Sequence, residues 1–162
     1  MQQQLVRSAV ALATIIAIGA CNPFHKNANE IQRADIPVGE RWNAILATPS
    51  GLAGAVQIKG TGYLAHSEDG ASSKAVIHTS NATPGGVHPW QVRTGHCGEE
   101  GAVVGDPSAY PNLQVDKDGT AQTSANLSLP FPTSGAYSLV LFAAPTNMAT
   151  IIACGNLAPP VH

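Results

Sequence analysis

The chain has 162 residues, ten of them acidic and eight basic, giving a formal charge of −2; only 11% are charged and 5% aromatic. That length suits one domain with a modest core, and so sparse a charge, with no Lys/Arg cluster, excludes an electrostatic nucleic-acid binder. Sixteen glycines and twelve prolines among many small and β-branched residues favour a turn-rich all-β domain over a helical one.

In chain order, residues 1–20 read as a processing segment. Arg7 charges a short n-region, and Ala9 to Ile18 is an apolar run too short to span a bilayer. The run ends Ile18-Gly19-Ala20-Cys21, which resembles the bacterial lipobox, with Cys21 as the lipidated residue. This reading also explains why the cysteine count is odd. Asn22 after the cysteine, by resemblance to bacterial sorting patterns, implies the outer membrane rather than retention at the inner one. Residues 21–41 follow as a polar, Pro-punctuated tether, long enough to hold a domain off a lipid surface. The expected localisation is therefore a bacterial cell envelope, with the membrane as partner through the N-terminal lipid.

The globular part is expected over 42–162. Trp42 to Thr48 predicts a first strand, stopped at Pro49-Ser50-Gly51, and Ala53 to Lys59 a second, turned at Gly60-Thr61-Gly62. Tyr63 to Ala65 continues the sheet before a polar loop from His66 to Ser73; Lys74 to Ser80 is the next strand. Pro84-Gly85-Gly86 turns the chain into Val87 to Val92, which alternates as a strand and leaves at Thr94-Gly95. Gly98 to Pro111 is a Gly/Pro-rich loop whose only apolar pair is Val103-Val104. Leu113 to Val115 and Thr120 to Leu129 flank an Asp116-Lys117-Asp118-Gly119 turn. Pro130-Phe131-Pro132 excludes a central strand there. Ala136 to Ala143 is the longest apolar run, buried on both sides, and Met148 to Ala153 is the last strand. Seven to eight short strands at steady spacing predict a Greek-key β-sandwich or flattened barrel. Cys97 and Cys154, each beside a glycine and each closing a strand-like run, are most simply read as one disulfide.

The run from Gly86 to Gly98, the distant Ala153-Cys154-Gly155, and Val115-Asp116-Lys117-Asp118-Gly119 together resemble the copper–zinc superoxide dismutase superfamily, over about Trp42 to Leu157. In that family a Gly-x-His-x-x-His-x-His strand precedes a Gly-x-Cys loop tied to a C-terminal Ala-Cys-Gly. The resemblance implies the family's sandwich and the Cys97–Cys154 tie. Laid on the motif, however, the first two copper-ligand positions fall on Gln91 and Arg93, and the last on Phe142. Gln91 is a weak oxygen donor, Arg93 has no lone pair and a permanent charge, and an apolar ring ligates nothing. The counterpart of the zinc loop, Gly98 to Gln114, contains no His, and the position of the substrate-guiding Arg holds Ile151.

His88 falls on the structural His of the motif and reads as a half-buried residue bonded to backbone. His78 and His88 are the two imidazoles that, on adjacent strands, would hold adventitious copper or zinc weakly. No Gly-x-Ser-x-Gly elbow and no Gly-rich phosphate loop appears. The expectation is a non-catalytic, superoxide dismutase-like envelope lipoprotein, a binding or structural module with no cofactor and an envelope partner that the residues do not name. The alternative is a copper-dependent superoxide dismutase, converting superoxide to oxygen and hydrogen peroxide, or a copper-binding protein with an atypical ligand set; only these would require copper or zinc.

Overall fold

A computed structural model describes residues 40–52 and 57–160. The processing segment, Cys21 and nearly all of the tether lie outside the described residues, as does most of the strand expected over Ala53 to Lys59. The described chain is nearly all β. Its strands are β1 (Arg41–Ala47), β2 (Lys59–His66), β3 (Ser73–Ser80), β4 (Val87–His88), β5 (Trp90–Thr94), β6 (Leu113–Gln114), β7 (Ala121–Leu127), β8 (Tyr137–Ala144) and β9 (Asn147–Leu157).

Seven of them form one antiparallel sheet in the order β5-β8-β9-β1-β2-β3-β7, curled into a half-barrel, while β4 and β6 pair separately. The chain crosses from β3 to the far edge at β5 and again from β7 to β8, and these two crossovers give the sheet its Greek-key connectivity. The first and last strands are neighbours: Asn43 and Ala158 exchange both backbone hydrogen bonds, at 3.0 and 2.8 Å.

The concave face holds the main core. Trp42, Leu46, Leu64, Ile77, Trp90, Val92, Leu113, Leu127, Leu139 and Leu141 meet there. Both tryptophans bury their rings and satisfy their N–H groups, Trp42 on the carbonyl of Pro132 and Trp90 on that of Pro111, each at 2.8 Å. Tyr137 meets Trp42 edge-on and Tyr110 does the same to Trp90. The Pro-rich connections are thus pinned to the core by indole hydrogen bonds.

Three strand boundaries differ from expectation. Gly60-Thr61-Gly62 is not a turn but lies inside β2, between β1 and β3. These glycines mark close approach: a Cβ on Gly62 would sit 2.6 Å from the Leu139 side chain and 2.7 Å from the Val76 carbonyl. Val87 to Val92 is not one strand, because Pro89 divides it into β4 and β5, which pair in different sheets. The last strand does not stop at Ala153 but runs through Cys154 to Leu157. Pairing of Cys154 to Leu157 with β8 and β1 outweighs the turn signal of Gly155. The run expected to be buried on both sides is so along β8: Leu139 and Leu141 face the main core, and Val140 and Phe142 are buried on the other face.

The loop after Cys97 is better anchored than its composition suggests. Thr94 and Val104 donate backbone hydrogen bonds to Ala102 and Val92, both at 2.9 Å, so 102–104 lies along the free edge of β5. Val104, only 8% exposed, joins the core there. Among the described residues no helix is long and apolar enough to cross a membrane.

Candidate functional site

One face of β5 and β8, the face turned away from the main core, gathers Gln91, Arg93 and Phe142, the three copper-ligand positions that the resemblance places on named residues. Gln91 and Arg93 project from alternate positions of β5, opposite Val140 and Ser138 of β8. Phe142 sits one turn of the pleat beyond Val140, at register shifts where it opposes Ile151 of β9. Such a shift bends the strand and re-aims its side chains; the Phe142 N–H is satisfied by the Pro89 carbonyl at 2.8 Å. Phe142, Val140 and Cys154 then form a small second apolar cluster with Ile151 against it.

These side chains close on one another. The Arg93 guanidinium carbon is 5.5 Å from the centre of the Phe142 ring, within cation–π range. Arg93 Nε donates to Gln91 Oε1 at 3.3 Å, and Gln91 is only 7% exposed. The amide oxygen of Gln91 therefore accepts a hydrogen bond from a cation. Among the described residues no group of three or more His, Cys, Asp or Glu side chains converges in a way that would hold a metal.

His88 lies beside this patch. Its Nδ1 is 2.8 Å from the Ala143 carbonyl and 3.2 Å from that of Phe142, so Nδ1 carries the hydrogen and donates. Nε2 is buried without a hydrogen-bond partner among the described residues, facing Gly86, where a Cβ would lie 2.5 Å away. The ring is a backbone brace between β4 and the end of β8, matching the half-buried, backbone-bonded residue expected. His78 is elsewhere: it sits on β3, opposite Thr61 of β2 and Gln122 of β7. Since β3 does not neighbour β4, the two imidazoles do not meet across adjacent strands, which corrects that expectation. The Greek-key crossover separates them.

Cys97 and Cys154 are bonded, with Cα atoms 5.8 Å apart. The loop end of this tie is further fixed by Asn156, whose side-chain oxygen accepts from the Cys97 N–H at 2.7 Å. Glu99 accepts from the His96 N–H at 2.6 Å, closing the turn that carries the cysteine, while Glu100 is exposed. Ile151, at the position of the family's substrate-guiding Arg, is part of the apolar patch and brings no charge to it.

A concavity lies where β1 begins and β9 ends, and no motif points to it. It is a pocket of about 370 Å³ with Phe131, Pro132, Pro159 and Pro160 among its walls and Glu40 and His66 as its ionisable groups. The His66 and Phe131 rings stack at 4.2 Å between centroids, tilted by 36°. In the sequence Pro130-Phe131-Pro132 and Pro159-Pro160 register only as breakers, and their distance along the chain hides that they share a wall. No family model matches the chain, and no curated protein matches it.

Proposed function

We propose that this chain is a non-catalytic, superoxide dismutase-like envelope lipoprotein that acts as a binding or structural module. The single observation that carries the reading is the closed patch on β5 and β8. Gln91, Arg93 and Phe142 engage each other by a hydrogen bond and a cation–π contact, and none of them offers a metal an imidazole, thiolate or carboxylate. A guanidinium at the centre of a copper site would repel the ion it is meant to hold. The loop from Gly98 to Gln114 adds no imidazole, and its acidic Asp106 is spent on its own turn, accepting from the Ser108 N–H at 2.8 Å.

The test is metal stoichiometry. The protein equilibrated with copper and zinc and then dialysed should retain less than one equivalent of either, and should not accelerate superoxide loss. Tight, stoichiometric copper with superoxide-dependent turnover would overturn the proposal in favour of a dismutase with an unusual ligand set. The anchor is tested separately. Cys21→Ala should move the protein from the membrane fraction to the soluble envelope fraction, because two or more acyl chains bury far more apolar surface than reversible binding requires. An unchanged distribution would remove lipidation from the proposal without touching the domain.

A further inference from the structure

The geometry points to the pocket beside β1 as a binding site for a small organic ammonium ion with an apolar, preferably aryl, body. Its volume of about 370 Å³ is near the lower end of what small-molecule sites occupy. Its walls are a ring and prolines, rigid surfaces that lose little conformational freedom on covering a ligand. Phe131 does not stand alone, since the His66 ring leans on it and fixes its plane.

The charge of the lining decides the class of ligand. Among the described residues that line the pocket, Glu40 is the only carboxylate and none is Lys or Arg. The adjacent Arg41 is turned away and spoken for: its guanidinium lies 4.5 Å above the Tyr63 ring, and its Nε donates to Asn43 at 2.9 Å. No ion pair joins Glu40 to another described residue. A carboxylate in the lining of an otherwise apolar pocket disfavours anions and favours a cation that is itself largely apolar. A bare metal ion gains little there, since the described lining residues offer one carboxylate and one imidazole and no third strong ligand. An arylammonium matches both features, its charge against Glu40 and its ring against Phe131 and the prolines.

The probe is benzylammonium, with benzyl alcohol as a neutral counterpart of the same shape and benzoate as the anion, titrated into the full chain while the ring resonances of His66 and Phe131 are followed. Benzylammonium should shift both saturably and bind roughly five- to tenfold more tightly than benzyl alcohol, while benzoate should not saturate. Glu40→Gln should reduce the preference to about one without changing the benzyl alcohol titration. Phe131→Leu should weaken both probes together. Equal affinity for the three probes, a preference that survives Glu40→Gln, or no saturable shift would each overturn the assignment. The result is independent of metal content, so it stands or falls apart from the loss of the copper site.

Discussion

Tyr110 shows how much one hydroxyl does in this fold. Its ring is 9% exposed and meets Trp90 edge-on, and its hydroxyl donates to the Val104 carbonyl at 2.6 Å, within the loop that covers the edge of β5. Burial pushes its ionisation up to about 12 from the ordinary 10.0. The folded state therefore holds this proton more tightly than the unfolded chain. Stability is insensitive to the group below pH 10 and falls as pH rises from 10 towards about 12. Tyr110→Phe should cost about 1–2 kcal/mol at neutral pH, because the Val104 carbonyl loses its donor. It should also flatten the alkaline limb of the stability profile relative to the parent. Tyr63, raised by burial against the opposing pull of Arg41, contributes to the same limb, so the informative quantity is the difference between variant and parent in chemical denaturation. An unaltered alkaline limb would mean that Tyr110 does not titrate with unfolding. At the acid end, Asp69, Asp106 and Asp118 accept hydrogen bonds inside their own turns and are held below the ordinary 3.8, so what they contribute is present above that pH and lost below it.

Among the elements, β2 carries the clearest constraint. Gly62 lies between β1 and β3 where a methyl group would press on Leu139 and the Val76 carbonyl. Gly62→Ala should destabilise by about 1–3 kcal/mol, the range for overpacking a close contact. Gly51, with nothing within 4 Å of its absent Cβ, should accept alanine with little change, and equal melting of the two variants would contradict the assignment. The two sites also show what could be read from the chain alone. Periodicity and punctuation located most strands, because alternation in Lys74 to Ser80 and the apolar run before Ala143 reflect which faces are buried. Gly60-Thr61-Gly62 misled because glycine serves turns and tight sheet contacts equally well, and only the neighbours across the sheet distinguish them. Proline was more informative: Pro89 lacks the N–H that a continuous strand would need, and β4 and β5 part there. The convergence of Gln91, Arg93 and Phe142 was legible through the resemblance. The pocket was not, because nothing local in Glu40, His66, Phe131 and Pro160 signals that the start of β1, the end of β2 and the segments after β7 and β9 come together.

For the whole molecule, the largest single constraint is covalent. The Cys97–Cys154 bond spans 57 residues, for which chain entropy assigns about 4 kcal/mol, a sizeable part of the roughly 5–15 kcal/mol expected of such a domain. Cys97→Ser/Cys154→Ser should lower the melting temperature and reproduce the parent's behaviour in reductant. Hydrogen exchange should rise first at 95–101, since 102–104 remains hydrogen-bonded to β5. If reductant leaves the parent's melting unchanged, the bond is not the stabilising tie described. The placement of β1 has a further, mechanical consequence. The chain preceding Glu40 feeds a strand in the middle of the sheet, laddered to β2 along seven residue pairs and joined to β9 on its other side. A strand at the margin can be peeled away one bond at a time, whereas this one has neighbours holding it on both sides. A pull applied through the chain that leads into β1 is spread across the fabric of the sheet instead of fraying its hem.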